Sequence, residues 1–342
     1  LFYNGDLNPL GFFSTLGSAD PLLPRAKAVD FLRRHSGIKV VHEIGPGDFH
    51  FARAFVDAVR SSIDDIVYRG HDFSGSSYRF VEEGLQSYGG AIRFNITPID
   101  QFPNAVADDP LELTLVEVLD DTPNEFYLRR HGIDYMVFVQ PEMQSNLWFP
   151  SKTIAAKVRE GHVYYEIARK GKKNKLPATF EAGEIITALE KNDEATLSRI
   201  DPSFLSDLKY DHLFYVPAAL QDILDIHLRG LPGEYAGFRD EIMRYFREQL
   251  GGVPDGQILH IPTAGLRLLW KLRSRAKVNI DFFDYGYTNE NASVKPFIVY
   301  SGQITAPLNF GLLAHMAAWL GYDVTLEKNG DLAITVYKIG RR

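Results

Sequence analysis

The sequence predicts an α/β fold: a parallel sheet flanked by helices, closed by a C-terminal antiparallel hairpin and interrupted by a large insert between its fourth and fifth strands. Three observations predict it. From about residue 26 to 122, short β-branched or aromatic runs alternate with helical stretches, as βαβ units with right-handed crossovers require. From 124 to 262 that rhythm is lost. It returns at Lys277–Tyr285, and an Asn-Gly pair near the C-terminus signals a hairpin.

Taken in order, Ile38–Ile44 (IKVVHEI) reads as a buried first strand, because apolar and β-branched residues crowd it. Phe49–Arg60 carries its apolar residues at helical spacing. Ile66–Asp72 is a second strand, Ser76–Ser87 a helix, Ala91–Thr97 a third strand and Leu111–Leu119 (LELTLVEVL) a fourth. Within the insert, Tyr135–Gln140 and Gly161–Lys170 read as strands, Phe180–Glu190 and Asp240–Leu250 as helices. The run Lys170–Lys175 (KGKKNK) reads either as a solvated hairpin tip or as a docking surface for an acidic partner. Lys277–Tyr285 is the fifth strand and Phe310–Leu320 a helix. Tyr322–Glu327 and Asp331–Tyr337 then pair across Lys328-Asn329-Gly330.

Composition narrows the function. With 45% hydrophobic and 24% charged residues, the 342-residue chain is globular, which excludes low-complexity disorder and leaves room for one large or two smaller domains. No apolar run is long enough for a membrane-spanning helix. A net charge of −7 argues against a nucleic-acid partner, since phosphate binding wants a basic face. The absence of cysteine removes disulfides, thiolate metal sites, iron–sulfur clusters and cysteine nucleophiles. The ten histidines are scattered without ligand spacing, so no metal is expected. The apolar stretch Leu10–Leu16 has no basic residue before it, so a secretory leader is not expected and a cytoplasmic location is.

The sharpest motif is Glu43-Ile44-Gly45-Pro46-Gly47-Asp48, where the first strand meets its helix. Glycines there let the backbone turn tightly and approach a ligand. A dinucleotide fingerprint would place a third glycine where His50 stands, so a pyrophosphate cradle is poorly supported. E-x-G-x-G instead resembles the first motif of S-adenosylmethionine (SAM) methyltransferases, whose turn packs against the amino-acid portion of the cofactor. A purely structural tight turn is the bland alternative.

Asp72, with Ser74 two residues on, ends the second strand, where a carboxylate can take both ribose hydroxyls; it could equally cap the following helix. After the third strand, Asp100-Gln101-Phe102 offers an acceptor for an adenine amine and an apolar ring face. The fourth strand runs into Glu117, Asp120 and Asp121 before Pro123, an acidic wall able to hold or deprotonate a nucleophile, or helix caps before a first-turn proline. Trp148, Tyr164 and Tyr165 line either a substrate pocket or a core.

These blocks together resemble the MidA-like family of SAM-dependent methyltransferases, the mitochondrial complex I assembly type and its bacterial relatives. Val116-Glu117-Val118-Leu119-Asp120-Asp121-Thr122-Pro123 resembles the family's N-E-x-L-D-A-L-P, and Asp284-Tyr285-Gly286-Tyr287 its D-Y-G-Y. Gly302-Gln303-Ile304-Thr305, followed by Asn309-Phe310, is similar to its glycine, D-I-T and helix-opening pair, and Gly11-Phe12-Phe13-Ser14-Thr15 to its G-D-F-x-T. The departures are Val116 for asparagine, Asp121 for alanine and Gln303 for aspartate.

The resemblance implies a Rossmann-like class I sheet of seven strands, with residues 26–123 and 263–342 forming the SAM-binding core. Residues 124–262 would be a substrate-selecting insert, and 1–25 a segment near the site. It implies a transferase using S-adenosyl-L-methionine without a metal. Glu43, Gly45, Gly47, Asp72, Ser74, Asp100 and Gln101 would bind cofactor, Glu117 and Asp120 would act on the nucleophile, and Asp284 and Tyr285 would bind substrate. Partners would be a protein or peptide acceptor, such as an arginine, or a small molecule, with no membrane or nucleic acid; a homodimer is compatible with it. The rival readings are a natural-product N- or O-methyltransferase and a non-catalytic assembly protein that keeps the fold.

Overall fold

The computed structural model describes residues 22–34, 37–73, 76–108, 110–119, 122, 124–143, 157–159, 162–164, 209–228, 231, 235–249, 255–256, 258–288, 298–300, 303–305, 307–328 and 334–341. Its first half follows the alternating pattern. Helix α1 (Leu22–Arg34) leads into β1 (Val40–Ile44), α2 (His50–Val59), β2 (Val67–Asp72), α3 (Ser76–Leu85), β3 (Ile92–Ile96), the short α4 (Phe102–Ala105) and β4 (Leu111–Val116). β4 stops short of the predicted Leu119 because Glu117 adopts a left-handed backbone, φ 47°, which turns the chain out of the sheet.

The insert contributes β5 (Glu125–Arg130), β6 (Ile133–Met143), β7 (Lys157–Arg159), β8 (His162–Tyr164), β9 (Lys209–Pro217), α5 (Leu220–His227), α6 (Tyr235–Gln249) and β10 (Ile258–Ile261). Its strands form a second, antiparallel sheet in the order β10-β5-β6-β9-β8-β7. Helix α7 (Thr263–Leu272) and β11 (Val278–Tyr287) return to the first sheet. β12 (Ile298–Tyr300), β13 (Gln303–Thr305), β14 (Leu308–Asn309), α8 (Phe310–Trp319), β15 (Asp323–Lys328) and β16 (Ile334–Arg341) complete the chain.

The main sheet runs β15-β16-β11-β4-β1-β2-β3, with β14 pairing the end of β11. β3, β2, β1, β4 and β11 are parallel, β16 is antiparallel to β11, and β15 is antiparallel to β16. The expected parallel sheet with a terminal antiparallel hairpin is therefore present. Every residue of β4 is buried, as a central parallel strand covered on both faces must be.

Alternate residues feed two apolar clusters. Ile44, Leu111, Leu113, Leu115, Ile280 and Phe282 pack with α7 and α8 and with Tyr127 and Leu259 of the second sheet. Val41, Tyr68, Val116 and Phe283 pack with α1 and α2 on the opposite face. Helix α1 is also pinned by charge: the Lys27 ammonium, 1% exposed, meets both Glu112 of β4 and Asp281 of β11. Predicted features at Leu10–Leu16, Gly11–Thr15, Ser74, Asp120, Asp121, Pro123, Trp148, Tyr165, Lys170–Lys175, Phe180–Glu190, Gly302 and Asn329-Gly330 lie outside the described residues.

Candidate functional site

The strands β1, β2, β4 and β11 end together, and their C-terminal ends carry most of the predicted site. In an open α/β sheet this edge, where helices switch from one face to the other, is where ligands bind. After β1 the chain turns through Gly45 (φ 67°) and Gly47 (φ 51°), conformations that side chains rarely adopt. The Gly45 N–H donates to the His71 carbonyl at 2.8 Å, tying the turn to the end of β2. A Cβ on Gly45 would stand 2.5 Å from Val118 Cγ2, so the turn after β1 and the turn after β4 touch here. The glycine is demanded by that contact as well as by φ.

The same corner explains Phe49, which the motif did not include, and the motif's last residue, Asp48. Phe49 holds φ 58° at the mouth of α2, and its ring lies over Gly70, where a Cβ would come within 2.7 Å of Cε1. Asp48 Oδ1 accepts the amide of His50, the first residue of that helix, at 2.9 Å. Glu43 points to the face of α2. It is 1% exposed, and burial, with Asp48 nearby, pushes its carboxyl up to about 8 while the Tyr68 hydroxyl pulls the other way. Glu43 therefore stands below the turn as a protonated acid at neutral pH.

Asp72 ends β2 half-buried, and its carbonyl accepts the Thr97 amide at 2.6 Å. The next residue, Phe73, presents an exposed ring. Asp100, predicted beside this edge, is instead drawn toward α7: its carboxylate meets Arg267 at 2.9 Å and Lys271 at 3.6 Å. Gln101 is exposed at the start of α4, and Phe102 is fully buried under it.

Glu117 combines two unusual properties. It is a non-glycine residue at φ 47° and a carboxylate side chain in a residue only 7% exposed, and such strain gathers at functional sites. Its amide donates to the Phe283 carbonyl at 2.7 Å, which continues the β4–β11 pairing past the end of β4. Asp284 is 2% exposed and accepts the Leu119 amide through Oδ2 at 3.1 Å and the Tyr285 amide through Oδ1 at 2.8 Å. It braces the turn that carries Glu117. Tyr285 is half-buried against the α1–α2 side. Gly286 permits the close approach of β14, since a Cβ there would lie 2.5 Å from the Leu308 carbonyl.

Beyond Tyr285 the edge meets the second sheet. Burial pushes the Tyr287 hydroxyl up to about 12, with the main chain of His260 beside it pulling back. His260, on β10, is 3% exposed, its two ring nitrogens have no partner among the described residues, and burial lowers it to about 3. Its ring lies 5.4 Å from Phe126. A second buried imidazole system, His42 and His71, lies beneath the end of β2. Sequence reading missed His42, His71 and His260, because lone histidines at those spacings carry no signal until strand register brings them together.

Among the described residues, no cluster of His, Asp and Glu could hold a metal ion, and no helix is long and apolar enough to cross a membrane. The edge thus offers backbone amides at a glycine turn, a carboxylate at the end of β2, an exposed ring beside it and a strained acid at the end of β4.

No protein-family profile matches the chain, and no curated protein matches it. Among solved structures, the fold is similar to that of an uncharacterized COG1565 superfamily protein from Burkholderia thailandensis, with a TM-score of 0.51 and 14% identity over 99% of this chain and 83% of that one. A second COG1565 superfamily structure from the same organism, bound to S-adenosyl-homocysteine, aligns with a TM-score of 0.44 and 16% identity over 93% of this chain. The chain spans 62% of that second protein's length. The α/β architecture of this chain is thus shared with a COG1565 superfamily protein.

Proposed function

We propose that the chain is a class I, MidA-like SAM-dependent methyltransferase that transfers the methyl group to a nitrogen or oxygen nucleophile. The observation that carries the reading is the convergence, at one sheet edge, of the positive-φ turn Gly45–Gly47, Asp72 and the strained Glu117. The strand order supports it, because class I methyltransferases share a parallel sheet closed by an antiparallel hairpin. A dehydrogenase sheet lacks that hairpin.

When bound, the cofactor supplies a methyl group made electrophilic by its sulfonium. The chain's own residues have simpler tasks. The Gly45 and Gly47 backbone would admit the methionine portion, the protonated Glu43 would support that turn from below, and Asp72 would accept the ribose hydroxyls. Phe73 and Gln101 would flank the base. Glu117, with Asp120 beyond it, would hold the nucleophile in line and take its proton. Asp284 would act as the brace of that turn and Tyr285 as part of the wall.

A protein arginine is the acceptor the family resemblance implies.

Calorimetric titration with SAM, S-adenosylhomocysteine and NAD tests the reading. Micromolar binding of the first two without NAD is expected. Asp72→Ala should weaken cofactor binding at least tenfold, whereas Glu117→Gln should spare binding and lower turnover. Binding of NAD alone would overturn it.

A further inference from the structure

A buried chain of three side chains lies directly beneath the end of β2. His42 Nδ1 stands 3.0 Å from His71 Nε2, and His42 Nε2 stands 3.1 Å from Asp108 Oδ2. The register explains the meeting: Ile44 of β1 pairs with His71 of β2 and His42 with Arg69, so all four side chains share one face of the sheet. Arg69 Nη1 donates to the same Asp108 oxygen at 3.2 Å, and Arg275 donates to the Asp108 carbonyl at 2.9 Å.

Hydrogen-bond polarity then runs in one direction. Asp108 Oδ2 already accepts from a guanidinium and faces His42 as an acceptor, so His42 must carry its proton on Nε2. A neutral imidazole has only one such proton, which leaves His42 Nδ1 as a lone pair that His71 Nε2–H must fill. The proton of His71 is thereby spent, and its Nδ1 is a bare acceptor. That atom is buried and has no partner among the described residues, in a residue 3% exposed. Burial keeps both rings neutral, His42 lowered to about 4 and His71 to about 3, so neither takes a second proton near neutral pH.

An orphaned buried acceptor is destabilising and calls for a donor. The place of this one is informative. His71 directly precedes Asp72, its carbonyl holds the Gly45 amide, and the Phe102 ring closes over both imidazoles edge-on, with centroids 5.7 Å from His42 and 4.9 Å from His71. Phe102 follows the loop after β3, and that loop's own carboxylate, Asp100, is engaged by Arg267 and Lys271. A ligand base lying between the glycine turn, Asp72 and this loop would compete with Arg267 and Lys271 for Asp100, whereas the His71 lone pair has no competing donor among the described residues and is reached by displacing the Phe102 ring.

Building on the methyltransferase reading, we propose that His71 Nδ1 is the purine-recognising group of the site, accepting a hydrogen bond from the exocyclic amine of the cofactor's adenine, with His42 and Asp108 fixing the tautomer that makes it an acceptor. His42 and Asp108 are positioning residues in this scheme. The device selects a 6-amino purine over a 6-oxo purine, whose oxygen would oppose the lone pair.

The test compares S-adenosylhomocysteine with S-inosylhomocysteine, which carries oxygen in place of that amine, by calorimetry on the full chain. The wild type should prefer the adenosyl compound about tenfold or more, and His71→Phe should bring the two affinities together. In the 15N spectrum of the wild type, saturating S-adenosylhomocysteine should shift the His71 Nδ1 resonance toward the hydrogen-bonded range; this needs no variant, so a misfolded His71→Phe leaves the test intact. Equal affinities in the wild type, undiminished preference in a folded His71→Phe, or an unmoved Nδ1 resonance would overturn the role of His71 while leaving the methyltransferase reading in place. No binding of S-adenosylhomocysteine at all would overturn both.

Discussion

Asp284 accepts the Leu119 amide at 3.1 Å, a bond between residues 165 apart that joins the end of β11 to the turn carrying Glu117. Replacing Asp284 with alanine leaves the buried Leu119 amide without an acceptor, at a cost of about 1–3 kcal/mol. Asp284→Ala should therefore melt lower than the wild type. Methyl transfer should fall by more than cofactor affinity does, because the turn positions the nucleophile side of the site. Asp284→Asn, which keeps one carbonyl oxygen, should recover part of the stability. Melting curves and single-turnover rates on the same preparations decide the point; equal losses in binding and turnover would argue against a brace.

Gly45 meets two separate demands, and they can be separated. Gly45→Ala introduces a Cβ 2.5 Å from Val118 Cγ2 at a backbone of φ 67°. Left-handed geometry costs a non-glycine residue roughly 1–2 kcal/mol, and the clash adds to it. Adding Val118→Ala should relieve the clash and leave the backbone penalty. The double variant should thus be more stable than Gly45→Ala alone yet less stable than Val118→Ala, measured by urea unfolding. Additive losses would show that the two turns do not press on each other.

Lys27 is the buried cation of a cluster with Glu112 and Asp281, which Arg34 also approaches at 3.4 and 3.5 Å, and it links α1 to two neighbouring strands. Removing one member of a buried ion pair typically costs about 3–5 kcal/mol, and here the two carboxylates would be left with only the more exposed Arg34 to compensate them. Lys27→Met should show that loss in denaturant unfolding. Combining it with Glu112→Gln and Asp281→Asn should restore part of it, despite three substitutions. If the triple variant is no more stable than Lys27→Met, the Lys27 stem contributes through packing and its charge is incidental.

The strand pattern of the main sheet was legible because apolar and β-branched residues crowd IKVVHEI and LELTL, although Glu43, Glu112 and Thr114 put polar groups on one buried face. The terminal hairpin was legible from Asn329-Gly330, but Lys328 pairs with Thr335, a register that does not close on that pair of residues, and β16 begins at Ile334 instead of the expected Asp331. The end of β4 was misread by three residues, since nothing in the type of Glu117 announces φ 47°. Asp100 was placed by its position after β3, but its partners Arg267 and Lys271 come from a helix about half the chain away and could not be foreseen. The imidazole chain was invisible for the same reason. His42 and His71 are 29 residues apart, and only the β1–β2 register sets them side by side.

The buried titratable groups predict how stability changes with pH. The Glu43 carboxyl is raised from 4.5 to about 8 in the folded protein. Between those values the folded state holds a proton that the unfolded state has lost, so stability falls as pH rises through that window. His42, His71 and His260 behave oppositely: their folded values drop from 6.5 to about 4, 3 and 3. From about pH 4 to 6.5 the unfolded chain binds those protons and the folded chain does not, so stability rises with pH. Each unmatched proton is worth about 1.4 kcal/mol per pH unit. Below 6.5 three rising contributions oppose one falling one; above it only the Glu43 contribution is left. Stability should therefore peak near pH 6.5 and decline toward pH 8. Glu43→Gln removes the falling limb, so its melting temperature should hold level from pH 6.5 to 8 while the rise below 6.5 persists. A wild-type profile that keeps rising to pH 8 would mean that Glu43 is ionised in the folded protein and that the glycine turn rests on a buried anion.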